Sequence, residues 1–91
     1  MTDTNLHGTA AVSWSNGRID TFWVDTDRSL IHRAFADGAW QPAESLGGTL
    51  ASAPAATAWA VDQLQVLAIL DDGALWNRYL DGTSWQQWEP L

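Results

Sequence analysis

The sequence predicts an all-β protein built from two copies of one four-stranded unit. Three observations lead to this prediction: the chain matches itself at a shift of 45 residues, its apolar residues recur in short strand-like runs, and turn-forming dipeptides separate those runs. The match aligns residues 11–46 with 56–91 without a gap and contains nine identities, whereas chance at ordinary residue usage gives roughly two or three. Two of the identical pairs are tryptophans, Trp14 with Trp59 and Trp40 with Trp85.

Each unit divides into four predicted strands. In the second strand of the first unit, Ile19, Thr21 and Trp23 alternate with Asp20, Phe22 and Val24. Its counterpart, residues 64–70, is apolar on both faces, as in a strand packed between two layers. No window shows a sustained helical period. The predicted strands are 10–14, 18–24, 30–35 and one beginning at Trp40 in the first unit, and 55–59, 64–70, 75–80 and one beginning at Trp85 in the second.

Turn-forming residues mark the ends of these strands. Asn16-Gly17 is a strong two-residue hairpin signal, and the Asp-Gly pairs at 37–38, 72–73 and 81–82 have the same turn chemistry. The pair Gly47-Gly48 separates the units. The predicted organisation is an N-terminal extension over residues 1–9, a first unit over 10–48 and a second unit over 49–91.

The length of the unit favours a β-propeller. Repeats of about 40–50 residues with four short strands are typical of propeller blades, and propellers close with about four to eight blades. Two blades alone would leave two large apolar faces exposed. Since head-to-tail contacts between copies generate closed rings, we expect a homo-oligomer, a six-bladed trimer first and an eight-bladed tetramer second. The alternative is a fragment completed by further blades.

Composition excludes several functions. The chain has four basic and 11 acidic residues, a net charge of −7, and no cysteine. It therefore has no basic stripe for nucleic acid, no thiolate metal site and no disulfide. No apolar run approaches the ~20 residues of a membrane span, and no signal peptide is visible, which predicts a soluble protein that is cytoplasmic or released by a non-classical route.

The first unit also carries a recognisable pattern, Gly17-Arg18-Ile19-Asp20, then Leu30-x-His32-Arg33, then Asp37-Gly38-x-Trp40. This pattern resembles the repeat of the PLL-like lectins, bacterial fucose-binding β-propellers first known from Photorhabdus. The two-blade subunit is similar in architecture to the trimeric propeller lectins of Ralstonia and Burkholderia. The resemblance implies a lectin that binds fucose or related sugars between adjacent blades. The second unit departs from the pattern, with Gln63-Leu64-Gln65 and Asn77 at the matching positions.

A sugar site needs an aromatic ring against the apolar face of the sugar and fixed polar groups for its hydroxyls. Residues of these types recur on the outer two strands of each unit. The candidate ligand-binding residues are Trp40, Trp85, Trp76, Trp88, Arg33, Arg78, Glu44, Glu89, His32 and Asn77.

Each candidate also has a structural interpretation. The repeated tryptophans, Trp14 and Trp59 above all, are suited to packing between blades. The pairs Arg33 with Glu44 and Arg78 with Glu89 are candidates for cross-strand ion pairs. Asp27 and Asp72 are expected to cap the turn between the second and third strands.

Enzymatic activity is not expected. The chain has only two histidines, His7 and His32, no cysteine nucleophile and no Gly-x-Ser-x-Gly motif. Asp25-x-Asp27 lacks the glutamate that a calcium loop places at position 12, and we expect no metal or cofactor. The alternative to a lectin is a non-catalytic scaffold or protein-interaction propeller, or a propeller fragment without a retained sugar site.

Overall fold

Residues 8–91, which the computed structural model describes, form two antiparallel β-sheets and no helix. No helix in this part of the chain is therefore long and apolar enough to cross a membrane. The first sheet contains β1 (Ala10–Val12), β2 (Ile19–Val24), β3 (Leu30–Ala36), β4 (Ala39–Trp40) and β5 (Glu44–Gly47). The second contains β6 (Ala55–Ala60), β7 (Gln63–Ile69), β8 (Leu75–Asp81), β9 (Ser84–Trp85) and β10 (Glu89–Pro90).

Both sheets have one topology, in which three strands run as a meander and the third pairs with two short strands. The meander strands begin and end within one residue of their predicted bounds, except that β1 ends early, at Val12. Each sheet has five strands rather than the predicted four because the fourth strand is interrupted after its tryptophan. At the interruption, Arg33 Nε donates to the carbonyl of Gln41 at 2.8 Å, and Arg78 Nε donates to that of Gln86 at 2.7 Å.

Of the four dipeptides that the sequence assigns to turns, Asn16-Gly17 and the Asp-Gly pairs at 37–38, 72–73 and 81–82, only the pair at 37–38 has positive φ at both residues. Asp37 and Gly38 both have positive φ, 55° and 78°, which is the type I′ conformation that suits a hairpin. At Asn16-Gly17 only the glycine has positive φ, 78°, and Arg18 N donates to Ser15 O across the turn. This turn is therefore not type I′.

The two aspartates expected to cap turns do so. Asp27 Oδ1 accepts from the backbone N of Ser29 at 2.9 Å and from its hydroxyl at 2.6 Å. Asp72 Oδ1 accepts from the backbone N of Ala74 at 2.9 Å. These bonds satisfy donors that the turn leaves free, and they confirm a structural role for the repeated aspartate.

The hydrophobic core lies between the two sheets. Cross-strand pairing places Phe22 opposite His32 in the first sheet and Leu64 opposite Leu80 in the second, and these residues belong to the two faces that pack together. We call these the packed faces and the opposite sides the outward faces. The core consists of Phe22, Leu30, Leu46, Leu50, Leu64, Val66, Ala68, Leu70 and Leu80.

The connection between the sheets is held by side chains from both of them. The carbonyl of Leu46 accepts from Trp88 Nε1 at 2.9 Å and from Arg78 Nη1. Arg28 Nε donates to the carbonyl of Leu50 at 2.9 Å. These bonds fix the position of one sheet against the other. The predicted N-terminal extension lies, for residues 1–7 including His7, outside the described residues.

Candidate functional site

A cleft of about 230 Å³ opens between the two sheets. The cleft is composite, because neither unit supplies its walls alone. From the first unit come Trp14, Arg18, His32 and Glu44, and from the second come Asp62, Leu80, Gly82, Thr83 and Trp85.

A chain of hydrogen-bonded polar groups forms one wall of the cleft. Asp20 Oδ1 lies 2.7 Å from His32 Nε2, and Glu44 Oε2 lies 3.0 Å from His32 Nδ1. Arg18 donates to both carboxylate oxygens of Asp20, each at 2.9 Å. Strand pairing explains the arrangement, since Phe22, His32 and Glu44 stand in register across β2, β3 and β5. The imidazole is thereby fixed from both sides.

Asp20 is fully buried, and its charge is compensated. Burial is the largest influence and raises the pKa of the carboxyl, but hydrogen bonds from His32 and Arg18, together with electrostatic attraction to both groups, outweigh it. The net result is a pKa below the ordinary value of 3.8. The same contact, with Asp20 accepting, raises the pKa of Arg18. Asp20 is therefore an ionised anchor that positions the two cleft-lining groups on either side of it.

Aromatic rings form the apolar part of the cleft. Trp85 of the second unit meets the His32 ring edge-on, with centroids 5.4 Å apart, and meets Phe22 in the same manner at 6.1 Å. The guanidinium of Arg18 lies 4.1 Å from the centre of the Trp14 ring, which is a cation–π contact. The two tryptophans and the hydrogen-bonded chain thus surround one small space.

This combination suits a small polar ligand with one apolar face. Indole rings offer flat apolar surface, Arg18 offers donors and Glu44 offers acceptors. The side chain of Glu44 is 53% exposed and so remains accessible to a ligand. The two carboxylates bind opposite nitrogens of His32, so their oxygens do not converge, and residues 8–91 hold no group of three or more side chains arranged for a metal ion.

Three of the ten candidates from the sequence line this cleft: His32, Glu44 and Trp85. Two others hold the fold together, since Arg78 and Trp88 bind the carbonyl of Leu46 across the sheets. Burial also lowers the pKa of Arg78, which agrees with an interior role.

The remaining candidates lie elsewhere. Trp76 Nε1 donates to the carboxylate of Asp72, at 3.0 and 3.1 Å to its two oxygens, and so supports a turn. Trp40 packs edge-on against Phe35, with centroids 5.5 Å apart, and lies 5.8 Å from the guanidinium of Arg33 on the outward face of the first sheet.

Asn77 and Glu89, the last two candidates, line a separate groove of about 480 Å³ on the outward face of the second sheet. Gln65 Nε2 donates to Asn77 Oδ1, and Asn77 Nδ2 donates to the carbonyl of Glu89, both at 3.0 Å. The groove is lined by Trp59, Gln65, Asn77, Tyr79, Glu89, Pro90 and Leu91.

The expected cross-strand ion pairs are wrong. Glu44 binds His32 rather than Arg33, whose Nε donates to a backbone carbonyl. Arg78 likewise donates to the carbonyls of Gln86 and Leu46 rather than to Glu89. The reason is register: His32, not Arg33, stands opposite Glu44 on the same face of the sheet.

Six residues of the cleft are not among the candidates from the sequence: Trp14, Arg18, Asp62, Leu80, Gly82 and Thr83. The sequence contains a pattern that predicts a role for Arg18. Residues 18 and 20 of one strand share a face, so the Arg18 and Asp20 side chains can form an ion pair. Trp14 packs on the core, as its repeated position predicts, and it also lines the cleft. Asp62 and Thr83 lie in turns of the second unit and line the cleft beside residues of the first unit. No pattern within the first unit predicts this contact.

No protein-family model matches the chain, and no curated protein matches it significantly.

Proposed function

We propose that this protein is a carbohydrate-binding lectin, with fucose or a related sugar bound in the cleft between its two sheets. The observation that carries the proposal is the cleft itself, in which two tryptophans, a guanidinium and a hydrogen-bonded carboxylate–imidazole–carboxylate chain with an accessible Glu44 converge. Small-ligand sites of this kind combine apolar walls with a few fixed polar groups. The repeat pattern that resembles fucose-binding propellers adds independent support.

In this proposal each wall has a separate role. An apolar face of the sugar stacks on Trp85 or Trp14, and Glu44 accepts from a pair of hydroxyls. Arg18 engages Asp20 through Nε and Nη2, and among residues 8–91 its Nη1 has no other partner, which leaves it to donate to the ligand. His32 sets the position of Glu44, and Asp20 sets that of His32.

In the same proposal the two sheets are blades of a β-propeller that is completed by further copies of the chain. Two features support this view: both sheets have the same meander topology, and they pack face to face with the cleft between them. Three copies would give six blades and four would give eight, and we favour the first.

The test is sugar binding by a variant that changes charge and little else. Glu44→Gln keeps the shape of the side chain but removes a charged acceptor that lies in the cleft. Hydrogen bonds to charged groups contribute about 1.5–3 kcal/mol, so affinity for methyl α-L-fucoside should fall about tenfold or more. Calorimetric titration measures this. Asp71→Asn, which alters an exposed turn residue outside the cleft, should bind as the wild type does.

A glycan array separates the lectin from the scaffold or protein-interaction alternative. The lectin proposal expects binding to fucosylated glycans, reduced in Glu44→Gln. No binding to any glycan by the folded wild-type protein would contradict the proposal and favour the alternative.

A further inference from the structure

A second, more open space adjoins the cleft. It has a volume of about 440 Å³ and lies over two turns of the first unit, at residues 15–18 and 36–38. We call this space the turn pocket. Three residues line both the turn pocket and the cleft, namely Trp14, Arg18 and Asp62. Because the two spaces share these walls, a group attached to a ligand in the cleft can enter the turn pocket.

Hydrogen bonds and turn geometry fix the backbone around the turn pocket. Asp37 has a φ of 55° in a tight hairpin turn, and Arg18 N donates to Ser15 O at 3.2 Å across the other turn. Asp62 has a φ of 60°, and its carbonyl accepts from the backbone N of Gly82 at 3.0 Å. The backbone segments that carry the two aspartates are thus ordered before a ligand arrives, which limits the entropy cost of binding there.

The turn pocket has more negative than positive groups in its walls. Asp37 and Asp62 supply two carboxylates, and Arg18 supplies one guanidinium. That guanidinium already binds the buried carboxylate of Asp20, at 2.9 Å from both Nε and Nη2. This hydrogen bond is the main cause of the raised pKa of Arg18. Burial opposes it, and electrostatic attraction to Asp62 and Asp37 adds to it. Among residues 8–91, three carboxylates therefore share one cation.

This distribution of charge determines which groups the turn pocket can bind. Carboxylates accept hydrogen bonds and do not donate them, so the exposed side chains of Asp37 and Asp62 suit the hydroxyl groups or an ammonium group of a ligand. A carboxylate or sulfate of a ligand would meet like charge. Arg18 compensates such a group poorly, because it is engaged by Asp20 and stacked on the Trp14 ring at 4.1 Å.

We propose that the turn pocket is a second subsite of the cleft, which takes the group attached to the bound sugar and selects that group by its charge. The subsite accepts a neutral hydroxylated group or a cationic amino group, and it disfavours a carboxylate or a sulfate. This proposal rests on the proposed lectin function, since it requires a sugar in the cleft.

Three fucosides of similar size test this selection. At neutral pH, 2-aminoethyl, 2-hydroxyethyl and carboxymethyl α-L-fucoside carry a cationic, a neutral and an anionic group on the same sugar. Calorimetric titration of the wild type should give affinities that fall in this order. Exposed charge pairs are weak, so each step should change the affinity by about two- to fivefold. The differences should disappear in about 1 M salt, where the screening length is about 3 Å.

Asp37→Asn separates the turn pocket from the cleft, because Asp37 lines the turn pocket and not the cleft. Asn-Gly is favoured in a type I′ turn, so this variant should keep the fold. It should reduce the ratio of the 2-aminoethyl to the carboxymethyl affinity by about twofold or more. Asp71→Asn is the matched control, since it removes one negative charge from an exposed turn outside both spaces, and it should leave this ratio unchanged.

The outcomes distinguish the subsite from the lectin function. Equal affinities of the wild type for the three fucosides overturn the subsite and leave the lectin function standing. An unchanged ratio in Asp37→Asn, or the same change in Asp37→Asn and Asp71→Asn, also overturns it, because the net charge of the whole protein would then account for the selection. A folded wild type that binds none of the three fucosides contradicts the lectin function, and the subsite with it.

Discussion

At the scale of residues, the unusual feature is a charge that is buried completely. Asp20 has no exposed surface, and its carboxylate is held by Arg18 on one side and His32 on the other. A buried charge with a partner missing is strongly destabilising. The cleft and the stability of the first sheet therefore depend on the same group.

The lowered pKa of Asp20 predicts an effect of pH. A group whose pKa is lower in the folded state stabilises the fold fully above its ordinary value, here 3.8, and this stabilisation is lost as the pH falls through the folded-state pKa. Asp20→Asn should lower the free energy of unfolding at pH 7 by about 2–3 kcal/mol, as expected for hydrogen bonds to a charged group.

Urea unfolding followed by tryptophan fluorescence, at pH 7 and below pH 4, measures this prediction. The difference between wild type and Asp20→Asn should shrink on acidification, because the wild type loses the ionised form. Asp71→Asn should have the same free energy of unfolding as the wild type at both pH values. A gap between wild type and Asp20→Asn that stays constant with pH would contradict the assigned role.

At the scale of elements, the connection between the sheets depends on glycine conformation. Gly48 has a φ of +79°, and a Cβ at this position would lie 3.1 Å from the ring of Trp88. The side chain of Trp88 cannot simply move away, because its Nε1 is bonded to the carbonyl of Leu46. The connection therefore needs glycine at position 48 for two reasons: the positive φ of the backbone and the close approach of the indole ring of Trp88.

Gly48→Ala should destabilise the protein more than Gly73→Ala. Gly73 has a similar φ of +82° but nothing within 4 Å of an added Cβ, so its substitution reports backbone strain alone, of about 1–2 kcal/mol. The extra contact with Trp88 should add to the cost at Gly48. Thermal unfolding of the two variants measures the difference, and equal losses would show that the indole ring shifts freely.

At the scale of the whole molecule, the protein has one core shared by two sheets rather than a core for each. The fully buried side chains Phe22 and Leu64 come from different sheets and pack in the same cluster. Separating the sheets would expose both apolar faces to water, which costs about 25 cal/mol per Å² of apolar surface. We therefore expect residues 8–91 to unfold as one cooperative unit.

Leu64→Ala tests this shared core. Replacing a buried leucine by alanine lowers the free energy of unfolding by about 2–5 kcal/mol. Both sheets should lose stability by the same amount. Hydrogen exchange of amides in β3 and β8 should accelerate together. Acceleration confined to β8 would show that the second sheet unfolds separately.

Strands, turns and the repeat are determined by the sequence alone, because each depends on local alternation, on Asp-Gly chemistry or on self-similarity. Which residues form the cleft is decided by the tertiary structure. Whether Glu44 meets Arg33 or His32 depends on the register of β3 with β5, which a shift of one residue would reverse. Trp85 approaches Phe22 and His32 only because the second sheet packs on the first, and no spacing along the chain encodes that contact.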